Sequence, residues 1–315
     1  MTHNILLQFP GQGAQAVGMG SALAASHTVA KDVFDEVNEA LGEDLFAIMR
    51  DGPDDEIRLT RNAQPALFAT SMAAAAVLAA ESGKPLTQIA NYVAGHSLGE
   101  YAALAVAGSI GISDGARLLR LRGDAMQSAV AVGEGAMAAV LGADEVKVDE
   151  ILAAASGSGL VQLANDNAPG QIVISGSAGA VDAAITIAKD MGIRKVIKLP
   201  VSAPFHCDLM APAAEAMREA LANVEMNDAA VPVICNVTAA GETKADQLRD
   251  NLVAQVTGRV RWRESLVGLG KSGVTHFVEL GTGKVLSGLV KRTLSDVTAV
   301  NLDNADDLDS VLSAL

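Results

Sequence analysis

The segment Gly95-His96-Ser97-Leu98-Gly99 constrains the fold more than any other part of the chain. An apolar run, Tyr92-Val93-Ala94, precedes it and predicts a buried strand, and the alanine- and leucine-rich residues 98–107 predict a helix. The two glycines lack a Cβ, so strand and helix can cross closely with Ser97 strained on the turn between them. The pattern predicts a nucleophile elbow, which exposes a serine hydroxyl where the helix N-terminus favours an oxyanion.

Composition sets the class of protein. The 315 residues are 50% hydrophobic and 3% aromatic, which allows one large or two modest domains with an aliphatic core. A net charge of −14 argues against a nucleic-acid binder. Residues 65–80 are the most apolar stretch, and we interpret them as a buried helix rather than a membrane span. The start, Met1-Thr2-His3-Asn4, has no basic region ahead of an apolar one, and the chain has two cysteines. We therefore expect a cytoplasmic protein with reduced thiols.

The N-terminal loop has two interpretations. A strand at residues 5–9 leads into Gly11-Gln12-Gly13-Ala14-Gln15, which formally matches a dinucleotide fingerprint with Asp32 or Asp35 as the ribose acid. No parallel strand ending in an acid follows, so that unit is incomplete. The favoured alternative is a loop whose backbone N–H groups face the ligand held by Ser97.

The order of predicted elements indicates an α/β protein with an insertion. Between Gly133 and Pro200 the patterns predict β-α-β-β-α-β, with strands at 137–141, 160–164, 171–175 and 193–199 and helices at 144–155 and 179–191. This is the ferredoxin-like unit. The predicted domains are therefore residues 1–132 plus 201–315 as the core and residues 133–200 as the insert. A final helix is predicted to run to Leu315.

A reactive serine needs a base, most often a histidine. Of the five histidines, His206 follows a proline-broken apolar segment just before a predicted helix, where the mouth of a cleft is expected. It is chosen over His3, His27, His96 and His276 by elimination. A core histidine packed beside Phe205 remains the alternative.

Seven motifs together resemble one family, the malonyl-CoA:acyl carrier protein transacylases. They lie in order over nearly the whole chain: Phe9-Pro10-Gly11-Gln12-Gly13, Gly95-His96-Ser97-Leu98-Gly99-Glu100, Leu121-Arg122-Gly123, Asn165-Asp166-Asn167-Ala168-Pro169-Gly170-Gln171, Pro204-Phe205-His206-Cys207, Asn251-Leu252-Val253-Ala254-Gln255 and Gly281-Thr282-Gly283-Lys284. The resemblance implies an α/β-hydrolase-like core with a ferredoxin-like insert. It also implies transfer of malonyl from malonyl-CoA to the phosphopantetheine thiol of acyl carrier protein in fatty-acid synthesis.

The resemblance also implies residue roles. Ser97 would be the nucleophile and His206 the base, with the backbone carbonyl of Gln255 accepting from the histidine Nδ1–H. The backbone N–H groups of Leu98 and Gln12 would bind the oxyanion.

Four further residues would line the acyl pocket. Arg122 would bind the malonyl carboxylate bidentately, although a solvated helix face is its alternative interpretation. Phe205 would disfavour an added methyl group, and Asn165 and Gln64 would be polar lining. No metal and no bound cofactor are implied.

The implied partner, acyl carrier protein, is acidic and so needs a basic patch on this acidic chain. The candidates are Lys189, Arg194, Lys195 and Lys198 on the insert and Arg259, Arg261, Arg263, Lys271, Lys284, Lys291 and Arg292 on the core. A monomer is expected. Alternative functions are an acyltransferase of a polyketide synthase or malonate decarboxylase system, or a serine esterase or thioesterase, which would have no use for Arg122.

Overall fold

The computed structural model describes residues 4–201 and 203–315, so His3 and Ser202 lie outside the described residues. The strands in that part of the chain are β1 (Ile5–Phe9), β2 (Tyr92–Gly95), β3 (Gly135–Leu141), β4 (Val161–Ala168), β5 (Gln171–Ser177), β6 (Lys195–Lys198), β7 (Val233–Ile234), β8 (Gly241–Glu242), β9 (His276–Leu280) and β10 (Thr298–Leu302).

The helices in the same residues pack against both sheets. They are α1 (Ser21–Ser26), α2 (Thr28–Leu41), α3 (Leu45–Asp51), α4 (Asp54–Arg58), α5 (Thr60–Ser82), α6 (Leu86–Ile89), α7 (Gly99–Val106), α8 (Ile112–Ser128), α9 (Glu145–Ala155), α10 (Ala178–Asp190), α11 (Ala211–Ala222), α12 (Ala245–Thr257), α13 (Trp262–Lys271), α14 (Val285–Thr293) and α15 (Leu308–Leu312).

The larger sheet decides where a site can form. Its order is β10-β9-β1-β2-β7-β8, and every pair is parallel except β7 with β8. Phe9 is paired with Gly95, so the loop after β1 and the turn after β2 leave the sheet side by side. Strands β2 and β7 lie on one side of β1, and β9 and β10 lie on the other. Such a switch point opens a crevice at the carboxyl ends of the strands.

The smaller sheet has the order β4-β5-β3-β6, and all its pairs are antiparallel. With α9 and α10 packed against it, it forms the ferredoxin-like unit, attached to an α/β-hydrolase-like core. All four strands fall within residues 133–200. We propose that the domain boundaries are those expected from the sequence, with residues 1–132 and 201–315 forming the core.

Helix α5 is the centre of the core. By length and hydropathy it could cross a membrane, but most of its apolar stretch is buried inside the protein. Alanines along it let α2, α7 and α8 pack closely around it. The structure confirms the expectation of a buried helix, which begins at Thr60, five residues before the apolar stretch 65–80.

The C-terminal region differs from its prediction. In place of one final helix, residues 285–315 form α14, the half-buried edge strand β10 and the short α15. Asp296, with φ 58°, lies in the turn that separates α14 from β10. The helix-like spacing of apolar residues hid this turn. Strand β7 is only two residues long, because the chain turns away from the sheet after Ile234.

Candidate active site

Ser97 lies on a turn that only glycines on both sides permit. Its φ is 52°, a left-handed conformation that costs energy for a residue with a side chain. A Cβ on Gly95 would overlap the backbone of Gly99, and a Cβ on Gly99 would overlap the carbonyl of Phe9. The elbow is therefore pressed against both α7 and β1. The Ser97 N–H donates to Asn236 Oδ1 at 2.7 Å, and Asn236 Nδ2 donates to the carbonyl of Gly95 at 2.7 Å.

The hydroxyl of Ser97 contacts two side chains from distant parts of the chain. Its Oγ is 2.8 Å from Nε2 of His206 and 3.1 Å from Nη2 of Arg122. The hydroxyl can therefore donate to the imidazole while accepting from the guanidinium. Ser97 is partly exposed, whereas His206 and Arg122 are buried. The oxygen is accessible to a ligand, and the groups that act on it are shielded from water.

His206 is held in one orientation by two backbone carbonyls. Its Nδ1 lies 2.9 Å from the carbonyl oxygen of Gln255 and 3.1 Å from that of Gly258, so Nδ1–H donates and Nε2 is free to accept from Ser97. His206 itself has a φ of 58°. Burial, assisted by the positive charge of Arg122, lowers the pKa of His206 to about 3. The imidazole is therefore neutral over the physiological range.

Arg122 is a buried cation bonded to neutral acceptors. Its Nη1 donates to Gln64 Oε1 at 2.8 Å, and its Nη2 donates to Gln255 Oε1 at 2.8 Å as well as to Ser97. The buried Nε has no acceptor within residues 4–201 and 203–315. Burial lowers the pKa of Arg122, but an arginine remains charged near neutrality. The solvated-face interpretation of Arg122 is wrong, because the side chain is only 1% exposed.

Three contributions to this site were not found from the sequence. Gln255 uses its side chain as well as its carbonyl: Nε2 donates to the Ser97 carbonyl at 2.9 Å and to Glu100 Oε2 at 2.8 Å. Asn236 anchors the elbow, and the Gly258 carbonyl is a second acceptor for His206. None of the three carried a sequence signal, whereas Glu100, which Gln255 contacts, stands in the motif of the elbow.

Gln12 and Leu98 lie where the two loops meet. A Cβ on Gly11 would lie 2.7 Å from the carbonyl oxygen of His96, so the first loop touches the elbow. The backbone N–H groups of Gln12 and Leu98 have no acceptor in the described part of the chain. Both are thus available to a ligand. The loop begins no βαβ unit with an acid-ended strand, because the next strand is β2, beyond six helices.

Phe205 and Asn165 take no part in the hydrogen bonds that the described residues form within the site. Phe205 is buried in the main core next to His206. Asn165 is a buried residue of β4 that bridges to Val260 in the core. Two residues on, Asn167 Oδ1 is 2.8 Å from His96 Nε2, so the side chain of His96 points to the insert and not to Ser97.

Four of the candidate docking cations are paired with acids. Arg259, Arg261 and Arg263 bind Glu145, Glu264 and Asp166 in a partly buried network between insert and core. Their role in docking stays a prediction. Lys198 pairs with Asp182. In the described residues, no group of three or more His, Cys, Asp or Glu side chains is placed to hold a metal ion.

Comparison with known proteins identifies the family of the chain. The family model for the acyl transferase domain matches residues 8–308. The malonyl CoA-acyl carrier protein transacylase of Bacillus subtilis is 43% identical over 312 residues, covering 99% of this chain and 97% of that protein. That of Escherichia coli K12 is 41% identical over 304 residues, covering 96% and 97%.

Solved structures agree as well. An acyl-carrier-protein S-malonyltransferase from Bartonella henselae superposes with a TM-score of 0.96 at 48% identity, covering 98% of both chains. A malonyl-transacylase solved in complex with a type II polyketide synthase acyl carrier protein gives a TM-score of 0.94 at 37% identity, covering 98% of this chain and 99% of that one. The chain belongs to the malonyl-CoA:acyl carrier protein transacylase family.

Proposed function

We propose that this protein is an acyltransferase that moves the malonyl group from malonyl-CoA to the phosphopantetheine thiol of acyl carrier protein, through a malonyl-Ser97 intermediate, in fatty-acid synthesis. One observation carries the proposal: Ser97 Oγ is within hydrogen-bond distance of both the imidazole of His206 and the guanidinium of Arg122. A nucleophile, its base and a cation for an acidic acyl group thus meet at one atom.

In the first half-reaction His206 Nε2 takes the proton of Ser97 as Oγ attacks the thioester carbonyl. The proton then passes to the sulfur of the departing CoA. In the second half-reaction the imidazole accepts the proton of the carrier thiol, and Ser97 leaves with that proton. The lowered pKa of His206 keeps it ready to accept. The carbonyls of Gln255 and Gly258 stabilise the imidazolium less than a carboxylate would.

The tetrahedral oxyanion forms between the two loops. The free N–H groups of Leu98 and Gln12 are suited to bind it, since both come from backbone fixed by the packing of the elbow against β1. The Ser97 N–H is already used by Asn236 and does not compete.

Arg122 selects the acyl group. A malonyl carboxylate can accept from its unused Nε–H and displace neutral acceptors such as Gln64. An acetyl group offers no such partner, so the buried cation favours malonyl. Phe205 disfavours an α-methyl group, and Asn165 lines the pocket on the insert side. The site closed around the acyl-enzyme excludes water, which separates transfer from the hydrolysis expected of an esterase or thioesterase.

Further features complete the proposal. The enzyme works in the cytoplasm as a monomer without a metal or bound cofactor. Service to a polyketide synthase is the second candidate, favoured by the structural relative solved with a polyketide carrier protein.

Mass measurement of the intact protein after mixing with malonyl-CoA tests the proposal. We expect one added malonyl group on the wild type, its loss on adding carrier protein with a free thiol, and no addition to Ser97→Ala. An added group on Ser97→Ala, or release of free malonate in place of malonyl-carrier, would contradict it.

A further inference from the structure

Glu100 is a buried carboxyl that the transfer reaction leaves unused. It lies in the first turn of α7, is 1% exposed, and accepts from Gln255 Nε2 at 2.8 Å and from the Asn236 N–H at 3.1 Å. It makes no ion pair within residues 4–201 and 203–315. A buried carboxyl bonded to neutral donors is sensitive to any charge brought near it.

One amide group connects Glu100 to the cation of the site. The Gln255 side chain donates to Glu100 through Nε2 and accepts from Arg122 Nη2 through Oε1, both at 2.8 Å. The same Nε2 donates to the carbonyl of Ser97. The charge of Glu100 therefore acts on the guanidinium that contacts Ser97.

The surroundings of Glu100 include few other charged or titratable groups. Arg122 faces it from α8, Tyr101 lies next to it on α7, and the thiol of Cys235 faces it from the chain after β7. His206 lies beyond the backbone of Gln255. Burial raises the pKa of Glu100 to about 7, while Arg122 acts in the opposite direction. The carboxyl is thus close to its point of titration before any ligand binds.

A malonyl carboxylate on Arg122 changes this balance. That carboxylate would bind the guanidinium directly while Glu100 lies one amide group away, and two negative charges so close together in a buried site do not both remain ionised. We propose that Glu100 takes up a proton from solvent when malonyl-CoA docks on Arg122, so that selection of an acidic acyl group is coupled to proton uptake. This inference rests on the proposed function. No covalent bond other than O–H forms, and the proton donor is water or buffer.

Calorimetry on Ser97→Ala, which cannot be acylated, measures this uptake. Binding heats in phosphate and in Tris, whose ionisation enthalpies differ, give the number of protons bound. At about pH 8 we expect an uptake of about 0.5–1 proton with malonyl-CoA, falling toward zero at about pH 5.5, where Glu100 is already protonated. Acetyl-CoA is the ligand control, because it carries the same CoA charges without the acyl carboxylate. Equal uptake with both thioesters, or equal uptake at both pH values, would overturn the proposal.

Two further variants assign the proton. In Ser97→Ala/Glu100→Gln the amide imitates the protonated acid, so uptake should disappear, and Kd for malonyl-CoA should no longer rise severalfold between about pH 6 and pH 8. Ser97→Ala/Glu279→Gln is the matched control. Glu279 is also buried with its pKa raised by burial, but it accepts from the N–H groups of Leu286 and Ser287 at the start of α14. Uptake should persist there.

The failures are distinguishable. If Ser97→Ala does not prefer malonyl-CoA to acetyl-CoA, the proposed substrate is wrong. If it prefers malonyl-CoA without proton uptake, only the role of Glu100 is wrong. Uptake that persists after Glu100→Gln places the proton on another group, such as His206, and also overturns this inference. If Glu100→Gln does not fold, the pH dependence in Ser97→Ala alone decides.

Discussion

Two arginines of this protein differ in the kind of side chain that accepts their hydrogen bonds. Arg263 binds Asp166 directly: its Nε is 2.9 Å from both carboxylate oxygens, and Asp166 is completely buried. Arg122 is more deeply buried than Arg263, yet its hydrogen bonds to the described residues go to amide and hydroxyl oxygens, and its Cζ lies 6.0 Å from the centre of the Tyr101 ring. The nearest acid, Glu100, is kept one amide away by Gln255.

The difference separates structural from functional charge. The Arg263 pair joins α13 of the core to β4 of the insert, and each charge is satisfied by the other. At Arg122 the neutral acceptors satisfy hydrogen bonds without cancelling the charge, so an incoming carboxylate gains a strong, charge-assisted interaction. The burial of Arg122 in an unpaired state costs stability, and a bound anion recovers that cost.

Arg122→Ala should produce the largest effect. We expect kcat/KM for malonyl-CoA to fall by about 10²–10³-fold, because a desolvated charge pair contributes about 3–4 kcal/mol. Preference for malonyl over acetyl should disappear. The measurement is acylation of Ser97 by each thioester. Arg263→Ala is the control and should lower thermal stability without changing the ratio. An unchanged malonyl-to-acetyl ratio in Arg122→Ala would remove the assigned role.

Breaking the other arginine site should affect stability more than chemistry. Asp166→Asn leaves Arg263 with Glu145 as its remaining acid, and Arg263 is partly exposed, so we expect a loss of about 2–3 kcal/mol in the free energy of unfolding. Denaturant unfolding measures the loss. The malonyl-to-acetyl ratio should stay at the wild-type value. A shift in that ratio would mean that the joint between insert and core also shapes the acyl pocket.

The contrast between the two arginines explains what could be predicted from the sequence. The elbow is local: Gly95 and Gly99 fix the turn by steric necessity, so it could be identified without a structure. His206 was reachable only by elimination and resemblance, since its contact with Ser97 spans 109 residues. Arg259, Arg261 and Arg263 look like Arg122 in a sequence. Their difference is a matter of which acids the fold brings to them.

The same reasoning accounts for the omissions. Asn236 and Gly258 act through long-range contacts that no spacing rule encodes. Strand β10 is an edge strand with a mixed burial pattern, so it carries little of the alternation that marks a strand. The order of the ferredoxin-like unit could be predicted because its apolar periods change clearly at each turn.

Glu100→Gln should change how stability depends on pH. The pKa of Glu100 is raised in the folded protein, so its contribution to stability is full at low pH and is lost as pH rises through about 7. The Glu100→Gln variant lacks this pH-dependent loss of stability. We expect it to gain on the order of 1–2 kcal/mol relative to wild type between about pH 5 and pH 8. Chemical denaturation at several pH values tests this. A constant difference across that range would show that Glu100 does not titrate there.

Substitution of an exposed cation should have the smallest effect. Lys195 extends the comparison of Arg122 and Arg263 to a charge exposed to solvent. Lys195 is exposed and has no ion-pair partner in the described residues, so unlike Arg263 it is free to meet an acidic carrier. Lys195 is paired with Leu141 at one end of the insert sheet. At the same end, the Gly142 N–H donates to the carbonyl of Gly170 in the hairpin that follows β4. Strand β4 in turn contacts His96 through Asn167. Lys195 therefore lies at the same end of the insert sheet as the hairpin between β4 and β5. Lys195→Glu should raise KM for the carrier by about two- to fivefold, with less effect at high salt, and leave formation of malonyl-Ser97 unchanged.

Lys291→Glu provides the matched control for Lys195→Glu. Helix α14 begins directly after β9, at the carboxyl ends of the strands, where Ser97 also lies. The helix runs back along the sheet, so Lys291, near its C-terminus, lies toward the amino ends of the strands. The same charge change there should leave KM for the carrier at the wild-type value. If both substitutions raise KM equally, the effect reflects the net charge of the protein. Exposed cations would then act only by long-range attraction, and the insert would have no special part in docking the carrier.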